Sequence, residues 1–333
     1  ARTVRTWLVL VAVVAALLEP RAATAEKVIF GTNWKAQAEH GGFYQALATG
    51  LYAERGLEVE IRPGGPQVNH RQLIAAGRLD FYMGGNIFGQ FDFLREGVPV
   101  VSVAAIFQKD PQVMLAHPES GVASFADLKE RTLFIAPFGQ LTFWPWMASS
   151  FGLEESQIRP YTFNPAPFLA DPESAQQGYV TAEPFAIRRE GGFDPVVLLM
   201  ADAGYDSYST LIQSRRDLVE QRPEIVQAFV DASILGWTEY LYGDPSPGNA
   251  LILKDNPEMT EAQIAYSIEA MKEWGIVVSG DAQELGIGAM TEARWRSFFE
   301  KAVSWGAVEP DLPWQDGYTL QFVNQGVGID RLR

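Results

Sequence analysis

The chain contains no cysteine and only three histidines among its 333 residues. Without cysteine there is no disulfide, thiolate nucleophile, iron–sulfur cluster or lipid-modified cysteine, so the hydrophobic core must hold the fold together. The histidines His40, His70 and His117 show no metal-type spacing such as H-x-x-x-H. We therefore interpret each histidine as a surface or supporting residue rather than a general base, and we expect no bound metal.

Sequence motifs for covalent or nucleotide chemistry are also missing. The chain has no G-x-S-x-G nucleophile elbow and no G-x-x-x-x-G-K-[ST] phosphate loop. No G-x-G-x-x-G turn follows a predicted strand with an acidic residue about 20 positions later, which dinucleotide binding would require. The sequence therefore predicts no catalytic set and no cofactor.

Basic residues are scarce. The chain has 26 lysines and arginines against 41 aspartates and glutamates, which gives a formal net charge of -15. Binding to a phosphate backbone needs clustered positive charge, and the sequence contains no such cluster. Nucleic acid and anionic membrane surfaces are therefore poor partners, although a local site could still bind an anionic ligand.

The longest apolar run near the start, residues 7–18, is too short to cross a bilayer, which takes about 20 residues as a helix. Arg2 and Arg5 precede this run, and an A-x-A pattern at 23–25 follows it. This order is typical of a secretory signal. We expect cleavage before Glu26 and export to the periplasm; a retained N-terminal anchor is the alternative.

The remaining chain has the material for a large core, since 47% of all residues are hydrophobic and 12% are aromatic. About 300 residues exceed what one core usually serves, so two lobes are expected. Apolar periodicity predicts alternating strands and helices in the first third, hence a mainly parallel sheet with helices on both faces. The predicted strands are 27–32, 57–61, 79–83 and 98–107, and the helices are 42–55, 69–76 and 87–95.

Similar units are predicted further along, before the strands nearly vanish after residue 215. The predicted helices there are 124–130, 141–151 and 174–179, and the predicted strands are 132–136, 180–181 and 196–200. The C-terminal region is helical by period at 218–242, 260–273 and 291–303. Pro223 should lie near the first residue of a helix, because proline cannot donate the backbone hydrogen bond of a helix interior.

Unusual residues follow the first predicted strand. In open α/β sheets, ligands bind beyond the carboxyl ends of strands and at helix N-termini. Asn33 and Trp34 lie at such an end, and Trp34 could stack on a planar ligand. His40, Gly41 and Gly42 precede a helix, where paired glycines would let a ligand approach the backbone. The alternative is a tryptophan that plugs the sheet end beside a structural glycine turn.

Polar groups follow two other strand ends. Asn86 ends a Gly-Gly-Asn turn that should permit positive φ, and its amide offers both a donor and an acceptor. An ordinary turn is equally consistent with this motif. Glu183 follows the short predicted strand 180–181 and could accept hydrogen bonds from an amine or ring N–H. A solvated loop glutamate is the alternative.

A cluster of aromatic residues surrounds the strand end near residue 136. Phe138 and Gly139 are followed by Phe143, Trp144 and Trp146. Three large rings within four residues cannot all fit one core face of a helix. We favour Trp144 for a ligand cleft and Trp146 for the core.

Two stretches of the sequence resemble a known family. Residues 38–59 (AEHGGFYQALATGLYAERGLEV) are similar to the opening of periplasmic substrate-binding proteins of ABC importers. The closest resemblance is to the branch shared with thiamine-pyrimidine-precursor-binding proteins; nitrate, sulfonate and taurine binders are more distant. Residues 178–185 (GYVTAEPF) match the GY.T.EP segment of that branch. The resemblance covers most of residues 28–240.

The resemblance implies an α/β, two-lobed Venus-flytrap fold in which each lobe is a mainly parallel sheet flanked by helices. Lobe one would comprise 26–112 together with the helical C-terminal region 206–333, and lobe two would comprise 113–205. A small-molecule ligand would be held between the lobes and delivered to an ABC permease in the inner membrane. The protein would work in the periplasm as a monomer.

The resemblance also implies roles for residues. Trp34 and Trp144 would stack on a planar heteroaromatic ligand, and Glu183 would bond its exocyclic amine. Asn86 and Gln108 would read the ring edges. The leading specific ligand is an aminopyrimidine thiamine precursor. The expected ligand-binding set is completed by Asn33, His40, Gly41, Gly42, Phe138, Gly139 and Tyr205.

Several alternatives stay open. The same branch includes pyrimidine synthases of thiamine biosynthesis, but these carry a cysteine-rich motif that this chain lacks. An enzyme of that type would also need a lysine for pyridoxal phosphate, and Lys35 is the only lysine near the expected cleft. A binding protein for riboflavin or an organosulfonate is possible, although a carboxylate such as Glu183 disfavours a sulfonate. A sensor domain that presents its ligand to a receptor is also consistent with the sequence.

Overall fold

The computed structural model describes residues 24–332, and residues 1–23 of the predicted export signal 1–25 lie outside the described residues. The described chain forms two five-stranded sheets. The strands are β1 Glu26–Gly31, β2 Leu57–Arg62, β3 Phe81–Asn86, β4 Val100–Phe107, β5 Gln112–Ala116, β6 Leu133–Ile135, β7 Ile158–Pro160, β8 Ala175–Tyr179, β9 Val196–Leu199 and β10 Ser209–Arg215.

Each sheet mixes parallel and antiparallel pairs. The first has the order β2-β1-β3-β10-β4 and the second β7-β6-β8-β5-β9. Only β10 runs against its neighbours in the first sheet, and β5 runs against its neighbours in the second. These two strands come directly after the chain passes from one sheet to the other, so they start at the edge where their neighbours end. The predicted α/β fold class is confirmed, with one reversed strand in each sheet.

Helices flank both sheets. They are α1 Gly41–Ala48, α2 His70–Ala75, α3 Ile87–Arg95, α4 Pro137–Leu141, α5 Trp144–Phe151, α6 Ala166–Ala170, α7 Glu183–Gly191, α8 Arg216–Gln221, α9 Pro223–Tyr242, α10 Ser246–Asp255, α11 Glu261–Glu273, α12 Ala282–Leu285 and α13 Glu292–Ser304. Pro223 is the first residue of α9, as predicted. None of the helices within residues 24–332 is long and apolar enough to cross a membrane.

Two local predictions were wrong. Residues 175–179 form strand β8 rather than a helix, and 180–181 belong to the turn that follows. Pairing of β8 with β5 and β6 overrides the local helix preference of its alanine and glutamines. Gly84 and Gly85 lie inside β3 and neither has positive φ, so the predicted Gly-Gly-Asn turn does not exist.

The two segments that connect the sheets are tied to each other and to α13. Lys109, in the first segment, pairs with Asp202, in the second, at 2.7 Å. The Arg294 guanidinium donates hydrogen bonds to the carbonyl oxygens of both Gln108 and Asp206. One cation of the C-terminal helical region therefore holds both connecting segments.

The paired glycines of α1 serve helix packing, which corrects the prediction that they let a ligand approach the backbone. A Cβ on Gly41 would lie 1.9 Å from the Tyr240 ring, and one on Gly42 would lie 2.1 Å from the Trp237 ring. Both rings belong to α9. The glycines therefore let α1 and α9 pack in close contact.

We expect Gly42→Ala to destabilise the protein by about 1–3 kcal/mol, the usual cost of overpacking a core. A loss of stability would be informative, because helix propensity alone predicts a gain: alanine is favoured over glycine by about 1 kcal/mol in a helix interior. Gly85→Ala is the matched control, since its Cβ would meet only Asn33 Nδ2 at 3.5 Å. Urea unfolding of both variants measures the difference; equal stability of the two would contradict this packing role.

Candidate functional site

Loops that follow strands of the two sheets meet in space. The Trp34 ring, after β1, lies 5.9 Å from the Phe163 ring, after β7, centroid to centroid with an interplanar angle of 37°. The Tyr161 ring lies 5.2 Å beyond Phe163. We call the space bounded by residues 33–40, 161–165 and 179–183 the cleft. Three aromatic rings from both sides thus form a row along it.

Phe163 combines two features that are unusual for phenylalanine. Its side chain is 63% exposed, and its φ of 64° lies in the left-handed region. Such a backbone costs a non-glycine residue about 1–3 kcal/mol and tends to occur at functional sites. An exposed ring held by strained backbone beside Trp34 is a candidate for ligand contact.

The loop that carries Trp34 is fixed by hydrogen bonds. The Trp34 carbonyl oxygen accepts from the Thr32 hydroxyl at 2.9 Å and from the Gly64 N–H at 3.0 Å. A Cβ on Gly64 would lie 2.7 Å from the Trp34 nitrogen, so glycine is needed for this close contact. The backbone beneath the Trp34 ring is therefore well positioned, while the ring itself is only half-buried.

A cavity of about 280 Å³ lies between α7 and residues 161–165. Its lining includes the rings of Tyr161 and Phe163 and the polar side chains of Gln176 and Glu183. Ligand pockets usually measure roughly 300–1,000 Å³, so this cavity suits a small ring system. Its walls offer both aromatic surface and hydrogen-bonding groups.

Glu183 is the first residue of α7, and its carboxylate is held at the cleft by two hydrogen bonds. The Tyr179 N–H donates to Oε2 at 2.6 Å, and the Tyr161 hydroxyl donates to Oε1 at 3.4 Å. Burial raises the pKa of Glu183 to about 7 against an ordinary 4.5. At neutral pH the carboxyl group is therefore partly protonated and can both donate and accept. A Cβ on Gly178 would lie 2.8 Å from Glu183 Cβ, which explains the glycine in the 178–185 motif.

A second cavity, of about 260 Å³, adjoins the first. The two share Ala182, Arg189 and Gln263 as lining. The rest of the second lining is largely polar and includes Thr260 and Ser267 of the α11 region. The combined space could accommodate a ring at one end and a polar chain at the other.

The turn after β8 connects the second sheet with residue 39 and with α11, beside these two cavities. The Thr181 hydroxyl donates to Glu39 Oε1 at 2.6 Å, and the Thr181 carbonyl accepts from the Ser267 hydroxyl at 2.7 Å. The Val180 carbonyl accepts from the Tyr266 hydroxyl at 2.9 Å. Burial raises the pKa of Glu39. The turn that follows β8 is therefore hydrogen-bonded to Glu39, two residues before α1, and to α11.

Of the other predicted site residues, Asn33 and His40 lie at the cleft in supporting positions, whereas Phe138 and Gly139 do not line it. His40 Nε2 lies 3.1 Å from Asn33 Oδ1, and burial lowers the pKa of His40 to about 3, so the ring is neutral. This contact joins residues 33 and 40 and so supports the loop that carries Trp34. Phe138 is 48% exposed on α4, whereas Gly139 is buried against Phe143. Neither residue lines the two cavities.

Other predicted residues are used elsewhere, which corrects the expected roles. Asn86 caps α3 by accepting from the Gly89 N–H at 3.1 Å. Gln108 donates to the carbonyl oxygens of Ala105 and Ala289, so its amide N–H groups hold the connecting segment. The Tyr205 ring is buried in the core, 5.6 Å from that of Trp146 and 5.8 Å from that of Phe298.

Trp144 does not provide the second ring of the expected clamp. Its side chain is only 5% exposed and belongs to the hydrophobic core, so no open ring face is left for the cleft. Trp146 is also in the core, as predicted. The ring opposite Trp34 belongs instead to Phe163.

Sequence reasoning missed Tyr161, Phe163 and Gln176. The first two could have been noticed as aromatic residues in a proline-flanked loop, because loops at strand ends often carry binding residues. Gln176 was hidden by the wrong helix prediction for β8. A glutamine is unusual only inside a buried strand, so the residue could not stand out while the segment was predicted as a helix.

Comparisons with known proteins agree with this fold. A family model described as NMT1/THI5 like matches residues 37–247. The riboflavin-binding protein RibY of Chloroflexus aurantiacus is 24% identical over 319 residues, which is 91% of this chain and 88% of that protein. The 4-amino-5-hydroxymethyl-2-methylpyrimidine phosphate synthase of Schizosaccharomyces pombe is 27% identical over 135 residues, 40% of this chain and 38% of the synthase.

Solved structures add a likeness in fold. The periplasmic aliphatic sulphonate-binding protein SsuA of Escherichia coli superposes with a TM-score of 0.63 at 16% identity, over 88% of this chain and 91% of that chain. At such identity the likeness concerns the fold alone. The chain therefore has the fold of periplasmic solute-binding proteins.

Proposed function

Because the chain belongs to the NMT1/THI5-like family, we propose that it is the solute-binding component of an ABC importer. It captures a planar nitrogen heterocycle between two lobes, 26–112 with 206–333 and 113–205, in the periplasm. It then presents this ligand to a permease. The observation that carries the proposal is the contact between the Trp34 and Phe163 rings across the cleft, beside the Glu183 carboxyl group.

The aromatic pair suggests how the ligand enters. Ring centroids 4.5–7 Å apart are in direct contact, and at 5.9 Å Trp34 and Phe163 leave no space for a third ring between their faces. A stacked ligand must therefore separate the two rings, and the lobes must open to admit it. Reclosure around the ligand supplies the signal for delivery, because binding shifts the population toward the closed form.

The edge of the cavity favours a ligand with an amine next to a ring acceptor. The Glu183 carboxyl group, which is partly charged at neutral pH, can accept a hydrogen bond from one N–H of the amine and leaves the second N–H and the neighbouring ring nitrogen to another side chain. An aminopyrimidine thiamine precursor has this arrangement, and we propose it as the leading ligand. The similarity to the pyrimidine phosphate synthase supports this choice.

Riboflavin is the second candidate, and two observations favour it. The similarity to the riboflavin-binding protein RibY extends over 91% of the chain. In addition, the polar second cavity adjoins the first and could accommodate a polyhydroxyl chain while the ring lies between Trp34 and Phe163, beside the first cavity. The same aromatic pair would serve either ring system.

A binding role accounts for the site better than the alternatives. An enzyme of the synthase type would use Lys35, but this lysine forms an exposed ion pair with Glu258 at 2.8 Å. An organosulfonate would place its negative charge near the Glu183 carboxyl group, which opposes it. A sensor would use the same cleft and differs only in its partner.

The test begins with protein purified under native conditions from the cells that make it. Mass spectrometry should identify a heterocycle that is released unchanged on denaturation. Calorimetry of the emptied protein should then show one-to-one binding of 4-amino-5-hydroxymethyl-2-methylpyrimidine or of riboflavin. A chemically converted product, an adduct on Lys35 or failure of both compounds to bind would overturn the proposal.

A further inference from the structure

Gln176 has an unusual position for a polar side chain. It is the second residue of β8, is completely buried and lines the first cavity. Neither its Oε1 nor its Nε2 has a hydrogen-bond partner anywhere in residues 24–332. The next residue, Gln177, shows the ordinary pattern, because its Oε1 accepts from the Ala136 N–H at 2.6 Å.

An unpaired buried amide is unfavourable, since both its carbonyl and its N–H groups have given up water without replacement. Buried polar groups are nearly always paired, so an exception at a cavity wall points to a partner that arrives with the ligand. The strand does not need this amide, because the backbone of Gln176 is already paired with Leu115 of β5 and Phe134 of β6, and no side-chain hydrogen bond adds to that pairing within the described residues.

We infer that Gln176 recognises a donor–acceptor edge of the ligand, an N–H group directly beside a carbonyl oxygen or ring nitrogen. This inference rests on the proposed function and narrows its substrate class. Oε1 accepts from the ligand N–H while Nε2 donates to the neighbouring acceptor, the paired geometry with which glutamine and asparagine read an adenine edge. Lactam and aminopyrimidine rings carry such an edge, whereas simple aromatic acids and sulfonates do not.

Gln176 and Glu183 divide the recognition between them. Both line the same cavity, but the amide of Gln176 does not titrate, whereas the Glu183 carboxyl group does. With riboflavin as the probe, whose ring does not titrate in this range, discrimination by Gln176 should therefore be the same at pH 5.5 and pH 8. This pH independence separates its role from that of Glu183.

The test compares Gln176→Met, which is nearly isosteric, and Gln176→Leu with the unaltered protein. The probes are 4-amino-5-hydroxymethyl-2-methylpyrimidine and riboflavin, each beside an analogue whose edge is blocked by methylation, the 4-dimethylamino compound and N3-methylriboflavin. The unaltered protein should prefer its parent probe to the blocked analogue by roughly 10- to 100-fold. Both variants should bind the parent more weakly, and the preference should shrink to the part that Glu183 supplies.

Stability supplies an independent readout. Replacing an unpaired buried amide by an apolar group of similar shape should raise the melting temperature of the ligand-free protein. The matched control is Gln112→Met. Gln112 is also a buried glutamine of the second sheet with an unpartnered Oε1, judged among the residues that the structure describes, but it does not line the cavity. This control should keep the ligand preference.

The outcomes separate the two proposals. If a parent probe binds and the Gln176 variants keep its preference over the blocked analogue, the inference about Gln176 is wrong and the proposed function stands. A lower melting temperature of both variants would also overturn it, because the amide would then have a structural partner. If neither parent probe binds the unaltered protein, the proposed function fails and the inference falls with it.

Discussion

Replacing Trp34 or Phe163 with alanine should weaken ligand binding by about 1–3 kcal/mol, roughly 5- to 150-fold, which is the range for stacking of a base on an aromatic side chain. The two rings contact each other across the cleft at 5.9 Å. Each provides a face for the ligand, and their loops belong to different sheets. Calorimetry with the compound that binds the unaltered protein measures both losses.

Phe163→Gly separates the ring from the backbone that holds it. Glycine adopts the φ of 64° found at this position without strain. The variant should therefore be at least as stable as the unaltered protein and yet bind as weakly as Phe163→Ala. Tyr242→Ala is the matched control, because Tyr242 is also an exposed aromatic residue but lines neither cavity.

Loss of both rings should cost less than the sum of the single losses, because both rings act on one ligand and on one closed form. Trp34 emission should also change when ligand enters, since the ring must leave its contact with Phe163. Unchanged dissociation constants for both alanine variants would show that the ligand binds elsewhere and does not contact the aromatic pair.

Glu183→Gln should stabilise the ligand-free protein by about 3 kcal/mol at pH 8. The pKa of the Glu183 carboxyl group is raised by burial to about 7, against 4.5 for an ordinary glutamate. Between these values the folded protein holds a proton that the unfolded chain has released, so stability falls as pH rises. Glutamine remains neutral and avoids this loss.

The pH dependence of the difference identifies its cause. Urea unfolding should give nearly equal stabilities for the two proteins below pH 4.5, a growing advantage of the variant between pH 4.5 and 7, and a constant advantage above. Burial also raises the pKa values of Asp110, to about 7, and of Glu39. Both groups are present in the two proteins, so the difference reports Glu183. A difference that is flat with pH would contradict the raised pKa.

The same substitution should weaken binding of the aminopyrimidine at pH 8 by about 1.5–3 kcal/mol, because a charged hydrogen bond becomes a neutral one. A gain in stability together with a loss in affinity is expected of a residue that serves ligand binding at the expense of stability. Unchanged affinity would put the carboxyl group outside the reach of the ligand.

The sequence predicted the parts of the fold that depend on local patterns. Strands β1 to β4 and helices α1 to α3 alternate with clear apolar periods and short turns, and all seven form where they were predicted, although α1 ends at Ala48 rather than at 55 and β3 extends to Asn86 rather than 83. Strands β5 and β10 were missed, because each pairs antiparallel with strands that are distant in sequence. Their direction depends on where the chain passes between the sheets, which no local pattern encodes.

The candidate site was only partly predictable, for the same reason. Trp34 and Glu183 could be identified, because each follows a strand and precedes a helix near an unusual motif. Phe163 could not, since its role depends on a ring from the other sheet and on a backbone conformation that the sequence does not reveal. Trp144 was assigned to the cleft because three large rings within four residues cannot all fit one core face. This crowding does not show which of the rings lies outside the core.

A crystal structure of the protein with the bound heterocycle would decide whether the ligand ring lies in the cleft. The proposed function predicts a ring stacked between Trp34 and Phe163, with its donor–acceptor edge toward Gln176 and Glu183 and no covalent bond to the protein. A ring bound outside the cleft, or one attached to Lys35, would contradict it.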